Sequence, residues 1–285
     1  MIYEDKYDQD SSKIISQVNT PEQVKRGNFY RQEYWILMGE MNNRLDGWND
    51  LERLYRCDRD TIEGSPNSFI PLVNPIISGQ IASLVEKNVS ANVKGRGVSD
   101  HNFARTGQIL ADLVVDQCNV KQLIKDIARD YLLKGVCCLG IAWDSDSFRG
   151  GAGDCVGFPE IRCKQVNRII VDGKIKDIVD FQKAEWVIEE IGFKSINWVR
   201  SEFGDDIANS VVRLNHVYPY STEVSWDDMK STSVLYVWTR NNEYNNLQRI
   251  VMDKRGLIFS ESDPRIPFYE HVNNRYPYFF AGCYK

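Results

Sequence analysis

The feature that most limits how this chain can fold is a change of apolar period at Lys134-Gly135. Before that point apolar residues recur at three- and four-residue steps, the spacing that lays one stripe along a helix. Beyond it they come in continuous runs of strand length, separated by turn residues. Lys-Gly is itself a helix stop, a cation near the carbonyl end followed by the residue that tolerates a left-handed backbone. Helices gathered first and strands gathered later predict an α+β fold, an N-terminal helical layer with a mainly antiparallel sheet. The chain then divides into a polar, flexible segment over 1–20, a helical part over 21–135 and a β-rich part over 136–285.

In the helical part, Thr20-Pro21-Glu22 reads as a cap followed by proline at the first helical position. Tyr34, Met38, Met41, Leu45, Trp48, Leu51 and Tyr55 continue one apolar stripe, with Asp46-Gly47 a candidate interruption. Asn74-Pro75 announces a second helix in the same way, carrying Ile77, Ile81, Leu84 and Val85 on one face. A short strand is expected over Ala91–Lys94. Ser99-Asp100 then caps a long helical region running to Lys134, with Phe103, Ile109, Leu110, Leu113 and Val114 among the residues expected to be buried.

In the β-rich part, Val136–Trp143 and Val156–Cys163 flank a Gly-rich turn, Ser145–Asp154, and predict a hairpin. Ile169–Val171, Ile178–Phe181 and Trp186–Ile191 read as further strands, and Ser195–Phe203 as a helix stopped by Gly204. Val234–Arg240 and Leu247–Met252 bracket a turn at Asn241-Asn242-Glu243, and Leu257–Ser260 adds a strand.

Composition bounds the function classes. A chain of 285 residues with 42% hydrophobic and 26% charged residues is a folded protein rather than a disordered one. The net charge of −5 excludes a broadly basic nucleic-acid coat. It does not exclude a protein that lets DNA slide without gripping it, because a grip on phosphate comes from Lys and Arg. The polar opening, MIYEDKYDQDSSK, has no apolar h-region, so no secretory signal is expected. Nor does any apolar run approach the roughly 20 residues of a membrane span. Seven scattered cysteines (57, 118, 137, 138, 155, 163 and 283) read as reduced thiols of a cytoplasmic protein.

Chemical motifs are weak throughout. Gly95-Arg96-Gly97 precedes a helix, but Asp100 stands where a dinucleotide turn needs its third glycine, and a carboxylate there opposes a pyrophosphate. Arg149–Gly153 is followed by no Lys-Ser/Thr pair and reads as a turn. Asp144 and Asp146 begin like a calcium loop, but Phe148, Arg149 and Cys155 stand where ligands and the turn glycine belong. Cys137 and Cys138 point to opposite strand faces, and His101, His216 and His271 are too scattered for zinc. Asp58, Asp60 and Glu63, like Glu189-Glu190, read as solvated acids. No catalytic, cofactor-binding or metal residue is assigned. Seven Trp, fourteen Tyr and twelve Phe fit either a packed core or large subunit interfaces.

The order of segments is more informative than any motif. Trp48-Asn-Asp-Leu51 and Tyr55 precede Phe69-Ile-Pro71-Leu-Val-Asn-Pro75, then Ala82-Ser-Leu84-Val and a helix ending Asp130-Tyr-Leu-Leu-Lys-Gly135. An apolar strand closing in Trp143-Asp144 follows. Then come Ile169-Ile-Val-Asp172, Ala184-Glu-Trp-Val-Ile188, Ile196-Asn-Trp-Val199 with Phe203-Gly204, Val234-Leu-Tyr-Val-Trp238, Glu270-His271 and Tyr276-Pro277-Tyr278-Phe279. This order, over about residues 30–285, resembles the N-terminal, wing portion of tailed-bacteriophage portal proteins. Many relatives place proline after the aspartate equivalent to Asp172, where this chain has Gly173. The resemblance puts stem, clip and channel helix beyond this segment.

What the resemblance implies is a structural homo-oligomer, expected as a dodecameric ring at a capsid vertex of the virion, assembled in the host cytoplasm. Its implied partners are the terminase large subunit, the major capsid or scaffolding protein, head-tail connector proteins and double-stranded DNA passing through the channel. No residue is assigned to DNA contact, no cofactor is expected, and no membrane association or enzymatic activity is implied. The alternatives are a metal-dependent hydrolase or nuclease using Asp58, Asp60, Asp144 or Asp146, and an unrelated monomeric interaction domain.

Overall fold

The computed structural model describes residues 2–57, 72–86, 92–95, 97, 100–144, 157–175, 177–217, 230–241, 243–244, 246–263, 265 and 275–282. Over these the fold is α+β, as the switch of period implies. The helices are α1 (Ile2–Val18), α2 (Pro21–Arg56), α3 (Val73–Val85), α4 (His101–Gln117), α5 (Val120–Lys134), α6 (Ile196–Phe203) and α7 (Asp205–Val217). The strands are β1 (Val136–Asp144), β2 (Phe158–Lys164), β3 (Ile169–Val171), β4 (Trp186–Ser195), β5 (Ser231–Asn241), β6 (Asn246–Asp253), β7 (Ile258–Glu261) and β8 (Tyr278–Gly282). Two compact units interleave along the chain. The first takes Met1–Asn42, Asn167–Ile175 and Phe181–Tyr276, and the second takes Asn43–Val166, Lys176–Asp180 and Pro277–Lys285. Each unit draws on both sides of residue 135, so the boundary that precedes the first strand is not a boundary between compact bodies.

The first unit is built on an antiparallel sheet of order β3-β4-β5-β6-β7. Its strands read as continuous apolar runs because both faces are covered. Successive residues on a strand point to opposite sides. Leu235, Val237, Ile250, Met252, Ile188 and Ile258 face Tyr30 and Tyr34 of α2. Val234, Val251 and Phe259 face Ile196 and Val199 of α6, Ala208, Val211 and Leu214 of α7, and Ile15 of α1. The register shifts between Glu190 and Gly192, whose φ is +100°, so β4 carries a bulge against β5.

Local chemistry explains the ends of these helices. Thr20 and Gln23 form a reciprocal capping box before Pro21: Thr20 N donates to Gln23 Oε1 at 2.9 Å, and Gln23 N donates to Thr20 Oγ1 at 3.3 Å. Helix α2 then runs unbroken through Asp46-Gly47. One glycine costs a helix only about 1 kcal/mol, too little to end it. Ser195 caps α6 by accepting a bond from Trp198 N at 3.2 Å, and Gly204 ends it. The first twenty residues depart from the loose segment that their polarity suggests. They carry α1, which packs on α7 and buries Ile15.

The second unit holds the end of α2, helices α3 to α5 and an antiparallel sheet of order β2-β1-β8. The expected hairpin is there as β1 and β2, in the register Leu139↔Cys163 and Ile141↔Ile161, while its Gly-rich turn lies outside the described residues. Gly135 takes the left-handed backbone at φ +73° and donates to Tyr131 O at 2.9 Å, so the stop operates as read. Several expectations are corrected. The long helix ending there is two helices, divided at Asn119, whose φ is +47°. Helix α3 begins at Val73 and not at an Asn74 cap, because the Asn74 amide is engaged by Tyr55 O and Ser78 Oγ. Residues 92–95 form no strand, since Val93 N donates to the Gln108 side chain of α4 instead of to a neighbouring strand. Ile178–Lys183 is a 3₁₀ helix. Neither α7 nor β8, which pairs with β1, was anticipated from the pattern.

Candidate functional site

The closest approach to a chemical constellation lies on the bulge of β4. Glu190 Oε2 accepts from Tyr34 Oη at 2.7 Å. Its Oε1 accepts from Lys254 Nζ at 2.7 Å and from Ser233 Oγ at 3.4 Å. The Lys254 ammonium also sits 5.2 Å from the centre of the Tyr34 ring. The Lys254 and Glu190 side chains are only 14% and 16% exposed, so solvent screens the pair little. Burial pushes the Glu190 carboxyl up, but the bonds from Lys254 and Tyr34 outweigh it and hold the group below the usual glutamate range. A carboxylate saturated by three donors is a poor general base. What it does is tie α2, β4, β5 and the turn after β6 together. Glu189-Glu190 therefore do not form a solvated pair: Glu189 is buried as well.

A second buried acid shapes the turn between β6 and β7. Asp253 Oδ1 accepts from Arg255 N and Leu257 N, each at 2.9 Å. Burial raises the Asp253 pKa, opposed by Arg255 and by the backbone donors of the turn. Arg255 Nη2 in turn donates to Asn215 Oδ1 of α7 at 2.7 Å. Gly256 in this turn has φ +97°, and a Cβ built on Gly27 of α2 would lie 2.2 Å from Gly256 O. The helix and the turn touch backbone to backbone there.

Asp172 closes another turn, accepting from Lys174 N at 3.1 Å and from Glu185 N at 3.4 Å. The carboxylate supplies the order that a following proline would impose, and Gly173 needs no positive φ to follow it. Nearby, Tyr276 N donates to Gln182 Oε1 at 2.9 Å while Tyr276 Oη donates to Ala184 O at 2.8 Å. Arg240 lies 5.1 Å from the Tyr276 ring centre and donates to Gln182 O.

In the second unit Lys134 does more than stop a helix. Its Nζ lies 2.9 Å from Glu52 Oε1 and 3.5 Å from Asp130 Oδ1. Glu52 is held below its ordinary range, chiefly by the hydrogen bond from Lys134. Cys163 donates its thiol toward Asp130, 3.9 Å away, and burial together with that acid pushes it up to about 11. Burial raises Cys137 too. Such thiols stay protonated and unreactive, consistent with the free cysteines among the described residues.

The candidate acids are not brought together. Asp58, Asp60, Glu63 and Asp146 lie outside the described residues, as do Cys155, His271 and the Arg149–Gly153 turn. Asp144 ends β1. His101 opens α4, and His216 sits in the last turn of α7. Asp100 precedes α4 without a side-chain cap, and a Cβ on Gly95 would meet its backbone at 3.2 Å, so this glycine serves a close approach rather than a phosphate. Among the described residues no group of three or more His, Cys, Asp and Glu is placed to hold a metal ion. The depression along the end of α2, lined by Asp46, Asn49, Asp50, Glu52, Arg53 and Arg56, carries both signs, with Arg56 Nη2 bound to Glu52 Oε2 at 3.3 Å.

The second unit shows instead a large uncovered apolar surface. Helix α4 has no buried residue, and Phe103 is 84% exposed. On α3 only Val85 is buried, although its 13 residues include no charge. Of the residues predicted to form the buried side of α4, Phe103, Ile109, Leu110 and Leu113 are turned outward and Val114 is half-buried. No helix of the described residues is long and apolar enough to cross a membrane. No protein-family model and no curated protein matches the chain.

Proposed function

We propose that this chain is the wing portion of a tailed-phage portal subunit, a structural component of a ring at one capsid vertex and not an enzyme. The observation that carries the reading is the order of its segments, from the Trp48 helix through the Lys134-Gly135 stop and the Trp143 hairpin to Tyr276-Pro277-Tyr278. Two further features support it. The Glu190 carboxylate is engaged by donors from α2, β5 and the turn after β6, an arrangement that suits holding elements together better than proton transfer. The exposed apolar helices of the second unit suit a subunit that buries surface against its neighbours. In this reading the ring conducts double-stranded DNA during packaging and ejection. It docks the terminase large subunit and later the head-tail connectors, meets the capsid or scaffolding protein, and leaves ATP hydrolysis to the motor. An acidic chain that grips phosphate weakly is compatible with passage of DNA.

The test is the solution mass of the chain by light scattering, with negative-stain images of the largest species. A particle of about a dozen copies of the 32.9 kDa chain, ring-shaped in projection, is the expected result. A chain that stays monomeric across the accessible concentration range, and is not retained on immobilised terminase large subunit, overturns the proposal.

A further inference from the structure

Helix α4 is built in three sectors. At 3.6 residues per turn, Ala104, Gly107, Gln108, Ala111, Val114 and Val115 share one side, and these are half-buried. Gln108 on that side accepts the bond from Val93 N at 2.8 Å, and a Cβ on Gly107 would come within 3.2 Å of Val93 Cγ1. His101, Arg105, Asp112 and Asp116 make a second, charged sector. The third, an arc of roughly 120°, holds Phe103, Ile109, Leu110 and Leu113, interleaved with the polar Asn102, Thr106 and Gln117. These are 84%, 62%, 56% and 43% exposed. The Phe, Ile and Leu side chains of this helix face out while its two half-buried valines and small residues face in, so its largest apolar groups are not the ones it buries.

We propose that this outward sector of α4 is covered by a second copy of the chain, and that it docks head to tail on the outward face of that copy's α3. The proposal rests on the ring reading and adds the surface that forms the ring. Area is the first argument. The four side chains leave roughly 400 Å² of apolar surface uncovered, about what a standard contact of ~800 Å² per partner contains when a little over half of it is apolar. Left open to water, one such patch is as large as the largest patch on a typical monomer. Symmetry is the second argument. A closed ring needs two unlike, complementary patches on each subunit, since a head-to-tail contact never uses one patch twice. The same unit supplies the other patch at α3, where Leu72 just before the helix and Ile76 and Leu84 within it are 63%, 60% and 56% exposed. Helix α3 carries no charge along its length, so neither Arg105 nor Asp112 at the flank of the α4 sector meets a like charge across the contact.

The experiment uses the full chain with Leu110→p-benzoylphenylalanine, irradiated in solution, and in parallel the variant Leu110→Gln/Leu113→Gln. Light scattering and negative-stain images are recorded for both. The expected result is a covalent species of twice the chain mass, with position 110 joined to a peptide from residues 72–86 of the other copy. The double variant should lose self-association by about a hundredfold while its melting temperature stays within a few degrees of the parent, because both positions are exposed. A cross-link within the same chain, a cross-link from α4 to α4, or no cross-link overturns the inference. Rings that form without the cross-link overturn it and leave the portal reading standing. A mapped α4-to-α3 cross-link in a dimer that never closes supports the contact and removes the ring.

Discussion

The two units differ in how fully their helices are buried. In the first, Val234 and Leu235 are neighbours on β5, point to opposite faces and are both fully buried, because α2 covers one face of the sheet and α1, α6 and α7 the other. In the second, three strands carry α5 on β1 and β2, and α4 buries none of its residues. The first unit completes a two-sided core within one chain, while Phe29, Trp35, Ile36 and Phe193 stay outside it at 48%, 52%, 50% and 61% exposure. The second holds its large exposed side chains on α3 and α4, which between them bury only Val85. In the proposed reading, association belongs to the second unit and the doubly covered core to the first.

The sharpest way to break this contrast is to attack the charged cluster of the first unit. Lys254→Met leaves the Glu190 carboxylate buried without its strongest partner, and should cost about 3 kcal/mol of unfolding free energy. Adding Glu190→Gln removes the stranded charge while keeping an acceptor for Tyr34, and should recover most of that loss. Urea unfolding of the single and double variants measures both. A loss under about 0.5 kcal/mol for Lys254→Met would place the pair with ordinary surface ion pairs and remove the idea that it ties α2 to the sheet.

Leucine truncations sharpen the contrast from the other side. Leu235→Ala in the doubly covered sheet should cost about 2–5 kcal/mol. Leu110→Ala on α4 should stay within about 0.5 kcal/mol when unfolding is measured at a dilution where the chain is monomeric. Equal losses at the two positions would mean that α4 is covered by its own chain.

How much of this was legible follows from where each signal sits. The hairpin and its preceding stop were readable because Gly135 must take a positive φ and the apolar run after it has strand length. The Thr20 cap was readable because cap and proline are adjacent, whereas the return bond from Gln23 that completes the box shows only in the structure. The N-terminal helix was not, because Ile15 gains its burial from α7, more than 180 residues away in sequence. Helix α7 had a local signal that went unused: Asp205 and Asp206 in its first turn directly after Gly204. The bulge that aims Glu190 is marked only by Gly192 within an apolar strand. Its partners, Tyr34 and Lys254, lie on distant segments that no spacing joins. On α4 the period was right and the face was wrong. Periodicity finds the apolar sector, but it cannot say whether that sector turns to the core or to a neighbour.

The smallest expected effect concerns acid. Glu190 is held below its ordinary value of 4.5, so its contribution to stability is fully present above that value and is lost as pH falls through its lower, folded value. Asp253 is shifted the other way, above 3.8. Its burial as a carboxylate costs stability at neutral pH, and that cost is relieved as pH falls toward 3.8. The two groups therefore oppose one another on the acid side of the stability curve. Unfolding free energies measured from neutral pH down to about 3 should fall less steeply for Glu190→Gln than for the parent, and more steeply for Asp253→Asn. Both acids belong to the first unit, so the α4 variant Leu110→Gln/Leu113→Gln should follow the parent curve when monomeric. A changed acid limb in that variant would show that the second unit contributes to the stability assigned to the first.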